Sequence, residues 1–173
     1  MPGDFEAVYE NEIWSVYGFF AYRVRSVADA EELTQRTFER ALRAWRRFDP
    51  ERSPARAWLL AIARNLLIDH YRADVWARQQ AIEEVPEGEL GSEVPEPQLG
   101  IDPDLAEALA ALSPRDREVV ALRFGGDLTG PEIAAMTGLQ LANVQQILSR
   151  SLRRMRALLE GGALEPRAAR ERR

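Results

Sequence analysis

A chain of 173 residues, 46% hydrophobic and with a formal net charge of -5, can bury one ordinary core or two small ones, since domains run from about 50 to 250 residues. The lack of cysteine excludes disulfide scaffolds, thiolate zinc sites and cysteine nucleophiles, and the single histidine, His70, leaves little scope for a histidine-based metal site or base, so no metal or other cofactor is expected. No run approaches the roughly 20 apolar residues of a membrane span, and the opening MPGDFEAVYENE lacks the basic-then-apolar layout of a signal peptide, so the chain reads as cytoplasmic without membrane insertion.

The elements read as helices throughout. FEAVYENEIWSVYGFFAYRV is an apolar, aromatic helix suited to packing against the next two helices. DAEELTQRTFERALRAWRRF sets Thr34, Phe38, Ala41, Trp45 and Phe48 at spacings of three and four, the mark of an amphipathic helix. Asp49-Pro50 closes it, because the residue before a proline is pushed out of helical geometry. ARAWLLAIARNLLIDHYR is then a helix with Trp58, Ile62 and Leu66 toward a core and a polar stripe of Arg64, Asn65, Asp69 and Arg72.

VPEGELGSEVPEPQLGIDPD, rich in Pro, Gly and acids, reads as a flexible linker. The charge is concentrated there: residues 80–104 carry eight acids and no base, residues 1–79 balance 12 acids against 12 arginines, and residues 105–173 hold 8 acids against 11 arginines. The expected fold class is therefore all-α, with two small helical domains, 1–79 and 105–173, joined by an acidic linker over 80–104. No stretch alternates with the period of a strand.

In the second domain Ser113-Pro114-Arg115-Asp116 has the form of a helix start, with a serine cap and proline in the first turn, and the helix through REVVALRF stops at Gly125-Gly126. Thr129-Gly-Pro-Glu132 is a capping box opening EIAAMT. Gly138 ends that helix in a left-handed conformation that glycine adopts without steric cost, and a last helix runs from about Leu141 to Gly161-Gly162. Ala134, Gly138, Val144 and Ile147 supply the small residue, the turn glycine and the inward apolar positions of a helix-turn-helix. With Val144, Ile147 and Leu148 turned inward, Asn143, Gln145, Gln146, Ser149 and Arg150 face out. Asn and Gln pair bidentately with adenine, so this nearly neutral helix can read bases while Arg150, Arg153, Arg154 and Arg156 grip phosphates.

DAEELTQRTFERALRAW, FDPERSPARAWLLAIARNLLIDHYR, LSPRDREVVALRFGGDLTGPEIAAMTGL and VQQILSRSLRRMR together resemble the extracytoplasmic-function sigma factors, the smallest members of the sigma-70 family. The resemblance implies a transcription initiation factor without chemistry of its own. Glu32, Gln35, Arg36, Phe38 and Glu39 would dock on the coiled coil of the polymerase beta-prime subunit, with Arg36 standing where the family commonly has an acid. Arg56, Arg64, Asn65, Asp69 and Arg72 would hold the promoter -10 element, with Asn65 capturing an unstacked base. Asn143, Gln145, Gln146, Ser149, Arg150, Arg153 and Arg154 would read the -35 element, although family members often place a basic residue at Gln145 and a small hydroxyl at Gln146. The linker would thread toward the RNA exit path.

The implied partners are core RNA polymerase, through its beta-prime coiled coil and beta flap, promoter DNA and an anti-sigma factor. Domains that bind DNA non-specifically on their own normally carry a clear basic surplus. An acidic chain that grips promoters only once docked on polymerase needs none, so poor DNA binding alone is expected. The competing reading is a standalone LuxR-like helix-turn-helix regulator, and RAWLLAIARN after DAEELTQ is the feature such a regulator would not need. An enzyme centred on Asp69-His70 is disfavoured, because neighbours in sequence point to different helix faces.

Overall fold

The computed structural model describes residues 4–84 and 101–162, and the described residues form helices and turns with no strand. Helix α1, Phe5–Ala21, begins where Asp4 Oδ1 accepts from the Glu6 amide at 3.0 Å, and α2, Val27–Ala44, begins where Ser26 Oγ accepts from the Asp29 amide at 3.0 Å. The helix tightens into a 3-10 turn at Trp45–Arg47 before the chain extends at Phe48. Helix α3 spans Ala55–Glu84.

Along α2 Ala30, Leu33, Phe38 and Ala41 face inward, and its two buried threonines are satisfied locally: Thr34 and Thr37 donate their hydroxyls to the Ala30 and Leu33 carbonyls at 2.7 and 2.8 Å. That matters because a buried hydroxyl without a partner costs about 1–3 kcal/mol. The α2–α3 corner is locked by aromatic packing: Trp45 stacks on Phe48 at 4.9 Å, Phe48 meets Trp58 at 4.8 Å, and Phe5 reaches Trp45 from α1 at 5.2 Å. Trp58 thus belongs to the core side of α3, as its spacing predicts.

The second domain comprises α4, Pro103–Ala110; α5, Pro114–Val120; a wider π turn, Ala121–Gly125; α6, Gly130–Thr137; and α7, Leu141–Gly162. Ser113 Oγ accepts from the Asp116 amide at 3.2 Å, confirming that cap. Thr129 and Glu132 complete the capping box, the Glu132 carboxylate accepting from the Thr129 amide at 2.8 Å. Gly138 ends α6 at φ 72. Buried Ile133, Val144 and Ile147 clamp α6 to α7, with Ala134 and Leu148 packed at the edge.

Helix α4 has no counterpart in the sequence reading. Asp102 Oδ1 caps it, accepting from Asp104 and Leu105 amides, and Arg117 holds its far end by donating to the Leu109, Ala110 and Leu112 carbonyls at 2.9, 2.9 and 3.4 Å. Burial, followed by the like charges of Arg23 and Arg25, lowers the Arg117 guanidinium from its ordinary value. Helix α3 runs five residues past the expected domain end at 79, and α4 starts inside the expected linker; residues 85–100 of that linker and the terminal EPRAARERR lie outside the described residues.

The two domains are not independent beads. Val16, Phe19 and Phe20 of α1 join Leu59, Leu60 and Leu66 of α3 and Val119, Leu122 and Leu128 of the second domain in one buried cluster. Gly18 and Gly125 let α1 and the π turn touch through backbone: a Cβ on either glycine would overlap the other's carbonyl oxygen.

Candidate nucleic-acid interface

Three surfaces carry the residues singled out in the sequence. The first lies on α2. Glu32 pairs with Arg36 at 3.5 Å and Gln35 donates to Glu39 at 2.9 Å, each one helical turn apart and exposed. Phe38 does not share that exposure. It is buried, in edge contact with Tyr9 at 4.7 Å and Phe5 at 6.5 Å, and so forms the floor of a groove between α1 and α2 instead of a point of contact on an open face.

That groove, about 710 Å³, is lined by Tyr9, Ile13, Trp14, Tyr17 and Leu42 above Phe38, with Glu31, Gln35 and Glu39 at its lip. Trp14 is 75% exposed and Leu42 58% exposed. The open apolar face of α1 is not anticipated by the sequence reading. The signal was present: Phe5, Val8, Tyr9, Ile13, Trp14, Val16, Tyr17, Phe19 and Phe20 exceed one stripe, and a helix apolar on more than one face needs a second partner.

The second surface is the polar stripe of α3. Asn65 and Arg72 are exposed, and among the described residues neither has an ion-pair partner. Asp69 faces Arg40 at 3.7 Å. The two other arginines are engaged: Arg64 Nε donates to Glu118 Oε1 at 2.6 Å, and Arg56 donates from Nε to Glu12 Oε2 at 2.6 Å and from Nη1 to Asp127 Oδ2 at 2.5 Å. The hydrogen bond to Glu12 and the charges of Glu12 and Asp127 outweigh partial burial and raise the Arg56 guanidinium above its ordinary value. It stays cationic at any working pH.

The third surface is the outer face of α7. Asn143, Gln145, Gln146, Ser149, Arg153 and Arg154 are all exposed, on the side opposite buried Val144, Ile147, Ser151 and Met155. Arg153 Nε reaches the Ser149 carbonyl at 3.4 Å, whereas Arg150 leans back to Asp116 of α5 at 3.0 Å. This is the geometry of a helix free to enter a major groove, with amide side chains near its N-terminus and cations further along. Among the described residues no group of three potential ligands is placed to hold a metal ion, and no helix is long and apolar enough to cross a membrane.

Two family models match the chain. Sigma-70 region 2 matches residues 9–82 and Sigma-70, region 4 matches residues 108–157. The chain is 31% identical over 162 residues to the ECF RNA polymerase sigma factor BldN of Streptomyces coelicolor, covering 92% of this chain and 61% of that longer relative. It is 30% identical over 153 residues to the ECF RNA polymerase sigma factor RpoE of Cereibacter sphaeroides, covering 88% of this chain and 84% of the relative. Among solved structures, the sigma factor RpoE in complex with the anti-sigma factor NepR from Bartonella quintana superposes with a TM-score of 0.72 at 23% identity, over 91% of this chain and 97% of that one. CnrH in complex with the cytosolic domain of CnrY follows at 0.61 and 25% identity, over 91% and 88%.

Proposed function

The chain belongs to the extracytoplasmic-function sigma factors of the sigma-70 family, which are transcription initiation factors, and from that premise we propose how its surfaces divide the work. The α1–α2 groove docks on the coiled coil of the polymerase beta-prime subunit. The α3 stripe holds the -10 element, with Asn65 taking an unstacked base and Arg56, Arg64 and Arg72 on backbone phosphates. The α7 face reads the -35 element next to the polymerase beta flap, and the acidic linker runs toward the RNA exit path. The protein works in the cytoplasm and contributes no reaction chemistry of its own.

The observation that carries this reading is the pairing of an open apolar groove on one domain with an amide-rich helix-turn-helix on the other. A standalone regulator has use for the second but not for a groove that leaves Trp14 and Leu42 in water. Base capture by Asn65 suits opened DNA, because an extruded base exposes edges and a stacking face hidden in the duplex. Since the sigma factor RpoE named above is in complex with the anti-sigma factor NepR, we assign the same α1–α2 groove to an anti-sigma factor when the protein is silent.

The test is transcription in vitro from fragmented genomic DNA with core polymerase and this protein, followed by mapping of the 5′ ends. A shared pair of upstream elements that disappears with Asn65→Ala supports the assignment. Start sites that are unchanged by adding the protein would reject it.

A further inference from the structure

Arg56 and Arg64 are matched by acids, Glu12, Asp127 and Glu118. Another group of arginines is not. Arg23 and Arg25, on the turn between α1 and α2, and Arg117 of α5 line one cavity of about 450 Å³ against α4. Among the described residues none of the three pairs with a carboxylate.

Two of these side chains are already fixed in place. Arg117 donates from Nε and Nη2 to the Leu109, Ala110 and Leu112 carbonyls, as described for the end of α4. Arg23 donates from Nη1 to the Pro114 carbonyl at 2.9 Å, and the Tyr71 hydroxyl donates to the Arg23 backbone carbonyl at 2.5 Å. The Arg23 Nε is buried and has no hydrogen-bond partner, which is costly for a charged donor. Arg25 is exposed and completes the rim.

Like charges gathered in this way repel. After burial, Arg23 and then Arg25 push the Arg117 guanidinium below its ordinary value; Tyr71 opposes them, and no carboxylate is among the groups acting on it. Around the cavity the three arginines face one acid, Glu107, which leaves a surplus of two positive charges. A phosphate ester carries about 1.5 to 2 negative charges at neutral pH on strong acceptor oxygens, and the planar fork of arginine suits those oxygens. The rest of the wall is largely apolar, with Val24, Ile101 and Ala106 among its residues. Its volume falls within the roughly 300–1,000 Å³ of small-molecule sites.

We infer that this cavity is a binding site for a small phosphate ester, with the phosphate held by Arg23, Arg25 and Arg117 and the organic group laid on the apolar wall. Because Arg23 and Arg117 are held in position beforehand, little ordering is left to oppose binding. The site shares no residue with the α1–α2 groove, the α3 stripe or the α7 face, so it stands or falls apart from the polymerase and promoter assignments.

The test is isothermal titration calorimetry of the full-length protein with phenyl phosphate and with inorganic phosphate, at about 0.15 M salt so that diffuse surface attraction is screened. Phenyl phosphate should bind saturably at one site and more tightly than inorganic phosphate, and it should raise Tm. Arg25→Gln, which removes a side chain without a partner in the fold, should weaken both anions about tenfold or more. Ala106→Phe fills the cavity without changing charge and should abolish the advantage of the phenyl group. Arg43→Gln makes the same charge change at an exposed position on α2 and should leave both affinities within about twofold. Thermal unfolding checks that each variant folds. No saturable binding of phenyl phosphate up to about 10 mM, or equal losses in Arg25→Gln and Arg43→Gln, would overturn the site. Equal affinity of the parent for the two anions would overturn the role of the apolar wall.

Discussion

Trp14→Ala is the sharpest perturbation of the groove proposed to dock on polymerase. A tryptophan brings roughly 150–250 Å² of surface into an interface, and three quarters of this one is open to water. Full coverage at about 25 cal/mol per Å² would be worth roughly 3–5 kcal/mol. A side chain at the lip of a groove is covered by about half, which leaves about 1.5–2.5 kcal/mol, or roughly a 10- to 70-fold loss in affinity for core polymerase. The folded state loses little, since Trp14 gives up one edge contact with Tyr17 at 6.2 Å, worth about 0.5–1.5 kcal/mol at most. The assay is fluorescence anisotropy of labelled protein titrated with core polymerase, alongside calorimetric Tm. An affinity within twofold of the parent, in a variant that folds normally, would refute the claim that polymerase covers this groove.

Other outcomes follow from the local geometry. Gly138→Ala forces a Cβ into a left-handed turn at φ 72, costing about 1–2 kcal/mol, and calorimetry should show Tm falling by roughly 2–8 °C. Arg117→Lys cannot reproduce a fork that reaches three carbonyls of the α4–α5 corner, so hydrogen exchange should show α4 opening first; protection equal to the parent would contradict the bracing role. Arg153→Ala in the holoenzyme should weaken -35 binding similarly across sequences and reduce the slope of log affinity against log salt by about one. Gln145→Ala should instead change which bases are preferred while leaving that slope nearly untouched. Raising pH through the neutral range should not release Arg56, because its guanidinium is held above an already high value.

The elements that were legible in the sequence are those fixed by local rules. Ser113, the Thr129–Glu132 box and Gly138 act over three or four residues, and the structure places each as its chemistry requires. The inward and outward faces of α7 follow from helical period alone. What the sequence did not disclose is long-range. Glu118 and Asp127 read as ordinary surface acids until α3 is laid beside them. Phe38 sits on the helical stripe that the sequence also assigned to docking, and only the approach of α1 decides that Tyr9 and Phe5 cover it. Helix α4, eight residues long, is hidden in the sequence because its cap, Asp102, adds to the same acidic charge run.

The most direct measurement is size-exclusion chromatography of the purified protein mixed with bacterial core RNA polymerase. Stoichiometric co-elution, lost when Trp14 and Leu42 are both replaced by polar residues, is the predicted result. A chain that runs alone on the column while still binding duplex DNA would contradict the proposal that the α1–α2 groove docks on core polymerase.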